Sequence, residues 1–154
     1  MMLATALPAV AATRNRTATA TATVSSRVKL SISSSTLAFP NADPDVTPAI
    51  AASGGPLTIT AKASTTIGST VQLVVVASGD LLSGVDQIGI SALKWTASGS
   101  GFAAGTMSKT AAQTVASWVS SGSWTGTQSY TLDNAWTYAM GAYSTTLTYT
   151  LTAP

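Results

Sequence analysis

Leu57-Thr58-Ile59-Thr60-Ala61-Lys62-Ala63-Ser64 decides the fold class. Leu57, Ile59, Ala61 and Ala63 alternate with Thr58, Thr60, Lys62 and Ser64, so apolar side chains recur with a period of two. A β-strand points successive side chains to opposite faces, and this pattern predicts a strand buried on one face. Ser53-Gly54-Gly55-Pro56 before it has the residues of a turn.

Similar segments follow at the spacing of a sandwich or barrel. Val71 to Ala77 is the most apolar run and predicts a central strand buried on both faces, ended by Ser78-Gly79-Asp80. Ile88 to Trp95 predicts a further strand, and Ser98-Gly99-Ser100-Gly101 a loop. In 103–112 the signals conflict. Met107, Ala111, Val115 and Trp118 have helical spacing, but β-branched and hydroxyl residues and the lack of caps oppose a helix. Segments 113–119 and 124–132 predict a hairpin around Ser120-Ser121-Gly122-Ser123, and Asp133-Asn134 a turn. In the last strand Tyr143, Leu147, Tyr149 and Leu151 face one way, with Ser144, Thr146, Thr148, Thr150 and Thr152 opposite. The expected fold is all-β: one immunoglobulin-like sandwich of seven to eight strands over 27–154, with an extended N-terminal strand or tail.

Upstream, the alternation lengthens. From Thr17 to Ile32 the even positions are Ala18, Ala20, Ala22, Val24, Ser26, Val28, Leu30 and Ile32, and the odd positions are Thr, Ser, Arg or Lys. Sixteen residues in this register would span roughly 50 Å at about 3.3 Å each, longer than a small sandwich is tall. Residues 17–24 allow two readings. One is a low-complexity Ala/Thr linker into a first strand at 27–33, continued or followed by Ser35 to Phe39. The other is a tail over 13–26 whose apolar face adds to a sheet edge of a neighbouring subunit. Its donor face would be Ala18, Ala20, Ala22, Val24, Val28, Leu30 and Ile32. Residues 1–12 resemble the end of a secretory signal peptide, with Ala9-Val10-Ala11 as a small-x-small site after Pro8. Their lack of a basic region implies that the numbering starts inside a longer precursor. We therefore expect export to the cell exterior or surface. No apolar stretch approaches the twenty residues of a membrane span.

Composition narrows the chemistry. Only 8% of residues are charged, and the net charge is +2. Arg14, Arg16, Arg27 and Lys29 lie in the first thirty positions, too few cations for a nucleic-acid surface. Cysteine, histidine and glutamate are all absent. Disulfides, thiol nucleophiles and Ser-His-Asp triads are thereby excluded. A paired-carboxylate hydrolase would need two of Asp43, Asp45, Asp80, Asp86 and Asp133 in one cleft, and nothing in their spacing points there. We expect no enzyme and no cofactor.

Asn41, Asp43 and Asp45 could supply oxygens to calcium, but with Pro40, Pro44 and Pro48 around them they read as a turn. Asn15-Arg16-Thr17 is a glycosylation sequon. Trp95, Trp118, Trp124 and Trp136, with Tyr130, Tyr138 and Tyr143, are expected as core anchors. Trp124, after a Ser-Gly turn, is the candidate ligand-facing aromatic. It would serve the alternative function, a monomeric secreted adhesive or carbohydrate-binding module that contacts surface glycans or other surface proteins.

Several pieces share a layout: Leu37-Ala38-Phe39-Pro40 with the Asp-Pro loop after it, Gly54-Gly55-Pro56-Leu57-Thr58-Ile59-Thr60, Val71 to Ala77, and Gly141 to Leu151. In these the chain resembles secreted bacterial pilin-like sandwiches of the spore coat U and Csu-type group, whose members usually carry cysteines. The resemblance implies an edge-exposed sandwich that polymerises head to tail through an N-terminal donor strand. Such contacts do not close, and they build fibres.

Overall fold

The computed structural model describes Arg14, Arg16 and residues 18–154. The expectations for 1–12 and for the sequon at Asn15 and Thr17 lie outside the described residues. In chain order the strands are β1 (Arg27–Ile32), β2 (Ala49–Ala51), β3 (Leu57–Ser64), β4 (Thr70–Ala77), β5 (Leu81–Ser83), β6 (Asp86–Ile88), β7 (Leu93–Ser98), β8 (Gly105–Thr106), β9 (Gln113–Val119), β10 (Gly122–Asp133) and β11 (Leu147–Thr152). Seven of these have six or more residues, and the other four have two or three. A 3-10 turn over Ile90–Ala92 is the only helical element among the described residues.

The strands form two main antiparallel sheets. The larger runs β1-β3-β10-β7-β8, with β2 paired to the end of β10, and the smaller runs β11-β4-β9. A separate hairpin joins β5 and β6. Both sheets turn apolar faces into one core: Ile59, Ala61, Trp95 and Tyr130 from the larger, Val71, Leu73, Val75 and Val115 from the smaller. The protein is thus an all-β sandwich, and the alternation at Leu57–Ser64 is realised with Leu57, Ile59, Ala61 and Ala63 buried.

Four local expectations are corrected. First, β4 is central in its sheet but buried on one face only. Val71, Leu73, Val75 and Ala77 are inside, Val74 and Val76 are half-buried, and Gln72 is exposed, because no further sheet packs on the outer face of the small sheet among the described residues. Second, Ile88 to Trp95 is two strands broken by the 3-10 turn, where Asp80 Oδ1 accepts the Ile90 N–H at 2.9 Å. Third, Ser35 to Phe39 carries no strand. In 103–112, where the sequence signals conflict, there is no helix. Met107 is instead buried beside the short β8, its N–H donating to the Leu93 carbonyl.

Fourth, β9 and β10 are not a hairpin: β9 pairs with β4, β10 with β3 and β7. The chain crosses between sheets at Ser120, whose φ is 67°. The corner is tied to the β3–β4 loop. Ser120 N–H donates to the Ser69 carbonyl, Gly68 N–H to Ser120 Oγ, and Thr65 N–H to Ser121 Oγ. Crossing lets the apolar faces of β9 and β10 meet across the core.

Glycines make room for aromatic rings. At Gly126 a Cβ would lie 2.4 Å from the Phe102 ring and 2.6 Å from the Ser98 carbonyl oxygen. At Gly101, where φ is +82°, it would lie 2.4 Å from Trp118 Nε1 and 2.7 Å from the Ser117 carbonyl oxygen.

Candidate functional site

The pairing registers place the two ends of the sandwich. At one pole lie the start of β1, the ends of β3 and β9 and the start of β10, with Arg27 opposite Ser64, Gly122 opposite Ala63 and Thr70 opposite Val119. The chain reaches this pole through residues 18–26, which carry no secondary structure and are exposed, Val24 by 84%. β11 also ends here, with Thr65 Oγ1 donating to the Pro154 carbonyl.

At the opposite pole the long loops 33–48 and 134–146 arch over the strand ends and enclose a cleft of about 1380 Å³. Its floor is Ile50, Leu57, Leu81, Ile88, Leu93 and Leu132, and its walls include Ile32, Leu37, Phe39, Tyr138, Tyr143, Leu147 and Tyr149. The loops are held together. Asn134 Nδ2 donates to the Ala42 and Thr47 carbonyls at 3.1 and 3.0 Å, and Trp136 Nε1 donates to Asp45 Oδ1 at 3.1 Å.

The expected turn at Asn41–Pro48 is present: Asp43 Oδ1 accepts the Asp45 N–H at 2.9 Å, and the Asp43 carbonyl accepts from Val46 and Thr47. Among the described residues no three acidic or other metal-ligating side chains gather to hold a metal ion. No helix among them is long and apolar enough to cross a membrane.

The donor-face residues divide into two sets. Ala18, Ala20, Ala22 and Val24 lie in the exposed tail, while Val28, Leu30 and Ile32 lie in β1, paired to β3. β1 and β11 are edge strands facing each other across one seam of the sandwich, and neither pairs beyond β3 and β4 respectively among the described residues. Leu147, Tyr149 and Leu151 stay half-buried along that seam. The opposite side is closed, because Ala103 N–H donates to the Val115 carbonyl and Ser117 N–H to the Gly101 carbonyl.

Trp124 is half-buried and stacks face to face on Trp118, with centroids 4.6 Å apart and planes 9° from parallel. The exposed tryptophan is Trp136, at 70%. Sequence reasoning placed that exposure at Trp124 because of the Ser-Gly turn before it; the sheet crossing folds that turn onto the domain. The cleft has no local sequence signature, since its walls come from two loops about a hundred positions apart. The nearest sequence signal is the apolar pair Leu37 and Phe39 beside a proline-rich loop.

Behind the cleft wall lies a buried polar trio. Tyr149 Oη donates to Gln128 Oε1 at 2.6 Å, and the Tyr130 hydroxyl is hydrogen-bonded to both. Burial, ahead of any neighbour, pushes the Tyr149 hydroxyl up to about 12 and raises Tyr130 further.

Searches against protein-family models, curated proteins and solved structures find no match to this chain.

Proposed function

We propose that the chain is a non-enzymatic structural subunit of an extracellular, pilus-like filament or surface layer. It assembles head to tail when the N-terminal strand of one copy adds to the next. Its partner is itself, and it needs no cofactor. The observation that carries this is the separation of two features: an exposed tail with an apolar face leaves one pole, and an apolar cleft opens at the other. A donor and an acceptor at opposite ends propagate instead of closing. Residues 18–26, extended at about 3.3 Å each, would reach roughly 30 Å, enough to run beside a strand as long as β3.

The two seam edges differ in a way that favours β11 as acceptor. Natural edge strands are protected from strand addition by charge, proline or bulges. β1 carries Arg27 and Lys29, whereas Leu147-Thr148-Tyr149-Thr150-Leu151-Thr152 carries no charge and no proline. A strand added there would bury the half-exposed Leu147, Tyr149 and Leu151 and widen the smaller sheet. The pilin-like resemblance and the immunoglobulin-like layout belong to this proposal, as does secretion.

Electron microscopy of the protein beside a version lacking residues 13–24 tests it. Filaments from the first and monomers from the second are expected; monomers from both would remove the proposal. One observation favours a second function, the adhesive or carbohydrate-binding module: Trp136 is exposed with its indole N–H held by Asp45. Loss of glycan-array binding in Trp136→Ala would support it, and an array with no signal for the parent protein would dismiss it.

A further inference from the structure

The few charges of this chain are sorted by pole. All five aspartates lie at the cleft pole. Asp43 and Asp45 are in the arching loop, Asp80 and Asp86 are beside and within the β5–β6 hairpin, and Asp133 ends β10. Two cations lie among them, each spent on an acid: Lys94 on Asp133 at 2.6 Å and Lys109 on Asp80. Five acids against two lysines leave this pole at −3, with Asp43, Asp45 and Asp86 exposed and in no ion pair among the described residues.

The other five cations lie at or beyond the opposite pole, in no ion pair among the described residues. Arg14 and Arg16 are on the tail, Arg27 and Lys29 on β1, and Lys62 on β3. Lys29 and Lys62 are direct cross-strand partners in the β1–β3 ladder, and both are exposed. Like charges placed opposite one another destabilise a sheet. Edge protection explains one lysine on β1. It does not explain the second on β3, an interior strand, nor the collection of every unpaired acid at the far end.

We infer that these poles are complementary docking surfaces for a second copy of this chain. The cationic face around Arg27, Lys29 and Lys62, with the tail arginines, meets the anionic rim of Asp43, Asp45 and Asp86. Charge sorting of this kind orients two copies tail pole to cleft pole and repels the two like-to-like encounters. It steers the tail toward the cleft before any strand pairing forms, and steering of this type raises association rates by about 10- to 1000-fold. Trp136, exposed beside Asp45, offers an incoming guanidinium a flat face next to a carboxylate. The inference rests on the head-to-tail assembly proposed above and adds what sets its direction and speed.

The test is the rate of self-association of the full chain, followed by light scattering in about 10 mM and about 1 M sodium chloride. Screening lengths there are about 30 Å and about 3 Å. The expected result is a rate at least about tenfold slower at high salt. Asp45→Lys with Asp86→Lys should slow association at low salt by a similar factor, as should Lys29→Glu with Lys62→Glu. An equimolar mixture of these two variants should recover part of the rate, because the reversed poles complement each other. Filaments that grow equally fast at both salts, or variants that associate like the parent, would overturn the charge inference and leave strand addition standing. A parent chain that is folded and monomeric at both salts would overturn both. The salt comparison uses the unaltered protein, so it decides the matter even where a variant fails to fold.

Discussion

Tyr149 on β11 donates its hydroxyl hydrogen to Oε1 of Gln128 on β10, so the edge of the small sheet is hydrogen-bonded to the centre of the large one. Gln128 is completely buried, and its Nε2 has no partner among the described residues. A buried donor without an acceptor costs roughly 1–3 kcal/mol, whereas a satisfied hydrogen bond contributes about 1 kcal/mol. Tyr149→Phe should therefore destabilise the protein by roughly 1–3 kcal/mol, since it unpairs part of the trio. Gln128→Met removes the orphan donor with its acceptor and should cost less. Urea denaturation ranks the two, and the opposite order would mean that Nε2 is satisfied.

The same trio predicts alkaline sensitivity. The Tyr149 hydroxyl is raised above its ordinary value near 10 to about 12 by burial, so the unfolded chain loses this proton first as pH rises. Stability from Tyr149 is fully present below about pH 10 and is lost between pH 10 and about pH 12, at a cost of roughly 3 kcal/mol. Tyr149→Phe should flatten the fall in melting temperature over that window, as read by circular dichroism.

At the acid end the group to follow is Asp80. The Lys109 ammonium, and next the Ile90 N–H, hold its carboxyl below the usual range. With the folded value lowered, its contribution is present above the ordinary carboxylate range and is lost as pH falls through the folded value. Asp80→Asn should make stability between pH 5 and pH 3 less pH-dependent than in the parent, in denaturation curves at matched pH.

Gly126→Ala should be among the most damaging single-methyl changes. The added Cβ would meet the Ser98 carbonyl oxygen at 2.6 Å as well as the Phe102 ring, and the backbone of a paired strand cannot yield as a side chain can. Overpacking of this kind costs about 1–3 kcal/mol or more. Gly54→Ala, at a turn with open space around the Cβ but a φ of +89°, should cost only the backbone term, about 1 kcal/mol. Thermal melts of the two variants should differ by several degrees.

Removing residues 13–24 should leave the melting temperature of the monomer within about a degree of the parent. Ala18 to Val24 are exposed and carry no strand pairing, so no buried area is lost among the described residues. A large drop would show that the tail packs on its own domain in solution, which would leave no free donor.

Periodicity made most of the fold legible, because burial of one sheet face forces every second residue to be apolar. β1, β3 and β11 fall on segments marked out by alternation, and the proline-bounded loop at 40–48 falls where three missing donors require it. What periodicity cannot carry is which sheet a strand joins. β9 and β10 follow one another across a short turn as hairpin strands would, yet the seryl contacts of Ser120 and Ser121 with Thr65, Gly68 and Ser69 accompany their passage to opposite sheets.

The sequence by itself therefore determined the all-β class, the long alternation of 17–32 and the missing catalytic groups, since these depend on residue type and spacing alone. Only the tertiary structure decided that Trp124 packs and Trp136 does not, that tail and cleft sit at opposite poles, and that unpaired acids and bases are sorted between them. These facts depend on long-range strand pairing, in which residues a hundred positions apart become neighbours through backbone hydrogen bonds and a shared core that no local pattern encodes.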